Sequence, residues 1–173
     1  MSETSDASTL CTQCGLCCDG GIFDYGPLAP DEIQPARDAG MAVVEADGKA
    51  GFLFPCPQLD CGVCQIYAIR PQTCHGYRCE TLEALDRGEI DLELGLARVK
   101  EGREAFEQVK AQLPDGRTVT DARRWRREAG KSDASGELNA SPMLMMALGM
   151  LDVVVDQHFR RPDQRQVMPA EET

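Results

Sequence analysis

The chain has 173 residues, 42% of them hydrophobic, and 29 acidic against 18 basic side chains give a formal net charge of -11. That length fits one ordinary domain, or a small metal-stapled unit with a helical appendage. The strongly anionic balance argues against nucleic acid as a partner of the chain as a whole.

Met1 to Leu10 has no basic stretch followed by an apolar one, so it does not read as a secretory signal. Residues 1–10 are expected to be a flexible N-terminus on a cytoplasmic protein. In a reducing compartment, nine cysteines with Cys-x-x-Cys spacing favour metal binding over a disulfide framework or thiol redox work. All nine lie between residues 11 and 79, which predicts a cysteine-cluster metal-binding unit over 11–80.

Within that unit the chain reads as loop-rich. Gly20-Gly21 and Gly26-Pro27 are turn signals, and Pro30-Asp31-Glu32 starts a short helix that runs through Ala39 and stops at Gly40. Residues 41–46 and 50–54 flank Asp47-Gly48-Lys49, the pattern of a β-hairpin that delivers Cys56 to the other sulfurs.

A helical region is expected over 81–160, packing on the cysteine unit, with a flexible tail over 161–173. Leu92, Leu96, Val99, Phe106, Val109 and Leu113 recur at helical spacing, and Pro114-Asp-Gly116 ends the pattern. Gly102 lies on that stripe, where a bare backbone allows close packing. Thr118 to Ala129 predicts a second, basic helix whose Arg123, Arg124, Arg126 and Arg127 read as a solvated face around Trp125. Gly130 to Gly136 reads as a flexible link.

The last helix has Ser141 as its N-cap and Pro142 at its first position. Its run Met143-Leu-Met-Met-Ala-Leu-Gly-Met-Leu151 is too short to span a bilayer, so no membrane association is expected. A helix apolar on nearly every side is expected to pack in the core, or to meet a homodimer or protein partner through residues 142–155. A soft copper(I) site on Met143, Met146 and Met150 is the less favoured use of the same spacing. The fold class is therefore α+β: a loop-rich metal-stapled unit with a short hairpin, followed by a helical C-terminal part.

The cysteines carry the chemistry. Cys11-x-x-Cys14 and Cys14-x-x-Cys17 steps let sulfurs reach one tetrahedral ion at roughly 2.3 Å. Adjacent Cys17 and Cys18 project in different directions, which suits two neighbouring centres or a polynuclear cluster. Cysteine-only ligation fits zinc and iron–sulfur clusters alike, a 4Fe-4S cluster among them. Two divalent ions on eight thiolates would take the formal charge from -11 to about -15.

These residues resemble the CxxCxxCC family, also called YkgJ-like cysteine cluster proteins, whose members are described as zinc- or iron-chelating domains. Cys11-x-x-Cys14-Gly15-x-Cys17-Cys18 is similar to its opening motif. Cys56-Pro57, Cys64-x-Ile66-Tyr67-x-x-Arg70-Pro71-x-x-Cys74 and Cys79 are similar to its second half. The resemblance implies metal ligation by Cys11, Cys14, Cys17, Cys18, Cys56, Cys64, Cys74 and Cys79. Cys61 is then a ninth thiol, and His75 stands where the family usually has arginine. Some family members are labelled iron–sulfur oxidoreductases, and similar motifs occur in flagellin lysine methylases.

The sequence has no dinucleotide loop, no Walker loop and no His-Glu-x-x-His, so it assigns no catalytic residue and no organic cofactor site. Arg70 and Arg78 are expected to offset thiolate charge, and His158 to cap a helix C-terminus. The leading functional expectation is a structural or sensory protein holding zinc or iron. The alternatives are an iron–sulfur enzyme or electron carrier, oxidoreductase or protein-modifying, and a thiol-based metal chaperone.

Overall fold

The structure is a computed structural model and describes residues 5–129 and 141–168. The expected link Gly130 to Gly136 lies outside the described residues.

The cysteine-bearing segment opens on helices where sequence patterning pointed to loops. Helix α1 (Asp6–Cys14) is capped by Ser5, whose side chain accepts from the Ser8 N–H. It stops at Gly15, whose φ of 64° turns the chain directly into the four-residue helix α2 (Leu16–Asp19). A left-handed residue is cheap only without a Cβ, so glycine at this position allows two helical turns to follow each other without a loop. Only Leu10 and Leu16 are buried here, too few to write a helical stripe in the sequence.

Strand β1 (Tyr25–Leu28), helix α3 (Ile33–Asp38), strand β2 (Ala42–Ala46) and strand β3 (Lys49–Leu53) follow. The expected hairpin forms, with Asp47 and Gly48 both at positive φ between β2 and β3. Gly26-Pro27, a turn by sequence, instead lies inside β1, which pairs antiparallel with β3 and gives the order β1-β3-β2. An edge strand tolerates proline because its outward N–H has no ladder partner. Leu28, Ala36, Met41, Phe52 and Phe54 form a small core beneath this sheet.

A second hairpin, β4 (Leu59–Asp60) and β5 (Val63–Cys64), turns at Cys61-Gly62. A Cβ on Gly62 would collide with the Thr12 carbonyl, so this turn is pressed against α1. Helices α4 (Gln72–Gly76) and α5 (Glu80–Asp86) complete the unit.

The helical part matches its sequence pattern closely. Helix α6 (Leu92–Lys110) is capped by Asp91, helix α7 (Val119–Ala129) by reciprocal Thr118 and Asp121 hydrogen bonds, and helix α8 (Pro142–His158) by Ser141. Its core joins Val99, Phe106 and Val109 of α6 to Leu144, Leu148, Leu151 and Val155 of α8, and takes in Leu10, Leu16 and Ile22 from the cysteine segment. Gly102 does allow the close approach its position suggested: an added Cβ would stand 2.7 Å from the Phe159 ring and 2.8 Å from Leu16.

Two expectations about the helices need correction. Arg123 is 2% exposed, not solvated, because it pairs with Asp24 and Asp152 inside the fold. On α8, Met143, Met146 and Met150 are 54%, 60% and 55% exposed, so they are not core fillers. The leucines and valines of the opposite face supply the buried contact. No helix among the described residues is long and apolar enough to cross a membrane.

Candidate metal centre

Local structure separates the thiols before any tertiary contact is considered. Cys11 and Cys14 sit three residues apart on α1 and so share one helix face. Cys17 and Cys18 are successive residues of α2 and point about 100° apart, as 3.6 residues per turn requires. One can join Cys11 and Cys14 while the other faces away.

The fold then supplies each with different company. Cys14, Cys17 and Cys79 pack against the helical core, whereas Cys56 and Cys74 pack against the small core under the sheet. Electrostatic neighbours follow the same division. The thiol of Cys17 feels Cys14, Cys79, Cys18 and Cys11, and that of Cys79 feels Cys11. Cys18 feels Cys56, Cys74 and Cys64, and Cys74 feels Cys56 and Cys64. Electrostatic neighbours thus link Cys11, Cys14, Cys17 and Cys79 on one side and Cys18, Cys56, Cys64 and Cys74 on the other, with Cys17 and Cys18 adjacent in the chain.

Backbone contacts hold both sets. Cys79 is the N-cap of α5, where its sulfur accepts from the Leu82 N–H at 3.4 Å. The Cys56 N–H donates to the Cys18 carbonyl at 2.7 Å, fastening the chain after β3 to the end of α2. Cys64 lies opposite Leu59 in the second hairpin, and Cys74 lies on α4.

Burial opposes ionisation of Cys11, Cys14, Cys17, Cys18, Cys56, Cys74 and Cys79. Burial pushes Cys14 and Cys18 up to about 12, with neighbouring thiols adding to the shift. Burial also takes Cys74 and Cys79 to about 11 and drives Cys17 well above the ordinary thiol range. Arg78 and Arg70 oppose the burial effect at Cys11, and Arg70 does so at Cys74, the charge-offsetting role expected of them. The Arg70 guanidinium lies 3.7 Å over the Tyr67 ring, and Arg78 pairs with Asp86.

All nine cysteines are free thiols. Among the described residues, no three His, Cys, Asp or Glu side chains are already grouped so as to hold a metal ion. The donor set nevertheless suits one: thiolate sulfur is the ligand of zinc and of iron–sulfur centres, and such sites seldom exist preformed without their ion. Cys61 stands apart, exposed at the hairpin turn, with its thiol hydrogen-bonded to Asp60. His75 is exposed on α4. A cleft of about 190 Å³ beside Cys61 is lined by Thr12, Cys14, Asp19 and Arg103, and a groove of about 530 Å³ along the sheet contains no cysteine.

Sequence patterns gave no sign of several residues that surround the thiols. Arg103 of α6 pairs with Asp19 next to Cys18. Tyr77 donates from its hydroxyl to the Phe159 carbonyl at 3.1 Å, and its phenol is pushed up by burial and by the nearby Cys17 and Cys79. Arg123 donates to the carbonyls of Gly20 at 2.9 Å and Gly21 at 2.6 Å, and Arg160 to that of Ile22 at 2.9 Å. Partners of this kind lie roughly a hundred residues away, beyond any local signal.

The class defined by this arrangement is a cysteine-cluster metal-binding domain. Residues 10–92, just under half of the chain, match the CxxCxxCC family model, described as "Putative zinc- or iron-chelating domain". Comparison with curated proteins and with solved structures finds no match.

Proposed function

We propose that the chain is a metal-binding protein in which Cys11, Cys14, Cys17 and Cys79 hold one centre and Cys18, Cys56, Cys64 and Cys74 hold a second. The observation that carries this reading is the division of eight thiols into two sets of four, with the ninth left exposed at a turn. Four thiolates close a tetrahedral zinc site and equally satisfy an iron–sulfur cluster. The role is structural or sensory, since the ligands are the one chemically specialised group among the described residues and neither cleft gathers a recognisable catalytic set. Nine free thiols are compatible with a reducing compartment such as the cytoplasm.

When bound, the metal supplies charge neutralisation and a crosslink. The protein's part is to bring the thiols together, to shed their protons as the cation arrives, and to balance the remaining negative charge with Arg70, Arg78 and Arg103. Anaerobic purification followed by elemental analysis, acid-labile sulfide and an absorption spectrum tests the reading. A colourless protein with zinc, or a coloured one with iron and labile sulfide, supports it. A chain that takes up neither metal overturns it.

A further inference from the structure

The two thiol groups differ in what holds them. Three donors around Cys79 converge on the last carbonyls of α8: the Thr81 hydroxyl donates to His158, and the Tyr77 hydroxyl and the Glu80 N–H donate to Phe159, at 3.1 and 3.0 Å. The next residue, Arg160, is 1% exposed and donates to the Ile22 carbonyl, while Arg123 takes the carbonyls of Gly20 and Gly21. Gly20 to Ile22 is the stretch that leaves α2, which carries both Cys17 and Cys18. The end of α8 therefore holds the chain around Cys79, and Arg160 together with Arg123 of α7 holds the exit of α2. Separating Cys17 from Cys79 would break buried, charge-assisted hydrogen bonds, which are the costly ones to lose.

Of the other group only Cys18 shares the anchorage of α2, and its three remaining thiols have less behind them. Cys64 is carried by a hairpin of two-residue strands closed by Gln65 N–H to Gln58 O at 2.8 Å, and Cys56 precedes it, held by its N–H to the Cys18 carbonyl at 2.7 Å and by Leu59 N–H to its own carbonyl at 3.3 Å. Cys74 rides on a five-residue helix whose first N–H, that of Gln72, donates to the Glu32 carboxylate at an exposed position. Val63, Tyr67 and Ile69 around Cys64 are exposed, and the core beneath is small. Segments with few buried contacts and exposed hydrogen bonds open locally at the lowest free energy.

We propose, resting on the two-centre reading above, that the centres exchange metal at different rates: the end of α8 latches the Cys11/Cys14/Cys17/Cys79 group, and metal enters and leaves through the Cys18/Cys56/Cys64/Cys74 group. Tyr77 and Thr81 act as positioning residues of the latched group, because they hold the chain around Cys79 and are not themselves among the proposed ligands.

The test is the release of zinc from the full-length chain loaded with zinc alone and challenged with excess EDTA, read as zinc released against time. Two phases of equal amplitude are expected, with Cys64→Ser abolishing the fast phase and Cys14→Ser the slow one. The double variant Tyr77→Phe, Thr81→Val removes two hydroxyls without burying or exposing a charge. It should speed the slow phase roughly tenfold, as loss of two hydrogen bonds allows, and leave the fast phase unchanged. A single phase for two ions, a reversed assignment by the serine variants, or a slow phase unmoved in the double variant overturns the latch while leaving two-centre binding intact. A chain that retains no zinc at all overturns the two-centre reading itself.

Discussion

The cysteines that rest on the helices and those that rest on the small sheet are the same side chain in different settings. Cys14, Cys17 and Cys79 lie against a core shared by α6 and α8, tied down by buried arginines. Cys56 and Cys74 lie against five buried residues and short hairpins. A four-thiol set thus does not determine how firmly it is held. Firmness comes from the elements behind it, and here much of it comes from residues beyond the segment that matches the family.

The sharpest way to break this contrast is to remove Arg160. Its guanidinium bonds Asp156 at 2.7 Å and Asp152 at 3.4 Å, and both carboxylates are fully buried. Arg160→Leu takes one charged partner from each, leaving Asp152 with Arg123 and Arg126 and Asp156 with the N–H groups of Gln166, Val167 and Met168, and removes the Arg160 donor to the Ile22 carbonyl. Stability measured by urea unfolding should fall by about 3–5 kcal/mol, as for one partner taken from a buried ion pair. A loss under about 1 kcal/mol, the range of surface pairs, would show that the ion network does not anchor this half.

Next in size is the effect on metal. Cys64→Ser should lower zinc content by one ion per chain, because three thiolates leave an open position. Cys61→Ser should leave it unchanged, since Cys61 is exposed with Asp60 as its neighbour. Equal losses by elemental analysis would bring Cys61 into the second centre. Stripping the metal should raise amide exchange over 41–79 more than over α6 and α8, whose apolar contact needs no ion.

Packing differs in the same direction. Gly102→Ala pushes a methyl group against Phe159 and Leu16, close to Cys17, and should cost about 1–3 kcal/mol by overpacking. Gly149→Ala, on the outer side of α8 with nothing within 4 Å, should instead stabilise by about 0.4–1 kcal/mol through loss of unfolded-state freedom. Thermal unfolding of both variants separates the inner from the outer face of the helical layer.

The smallest effect is a pH dependence at the latch. Burial holds the His158 imidazole below its ordinary value of 6.5, and Arg98 adds to this, while Glu101, 3.1 Å from Nε2, opposes it. A histidine depressed in the folded state favours the neutral form there. Stability should therefore be full above about pH 6.5 and decline as pH falls below it, since the unfolded chain takes up the proton first. His158→Gln should flatten that limb of the stability curve, and a limb that persists unchanged would assign it to other groups.

The sequence by itself determined the hairpin turn at Asp47-Gly48, the stripe of α6, the tight spot at Gly102 and the start of α8 at Ser141-Pro142. Each of these is written in neighbouring residues, because turn chemistry, capping and helical periodicity act over a few positions. The helices through Cys11 to Cys18 escaped because they bury only two leucines, and β1 escaped because glycine and proline signal turns as readily as edge strands. Which core each thiol packs against, why Arg123 is buried and which face of α8 shows its methionines were decided by tertiary structure alone. Those facts depend on partners such as Gly20, 103 residues before Arg123, and Ile22, 138 before Arg160. No local preference encodes a contact across such a separation, and only the closing of two cores around one loop brings it about.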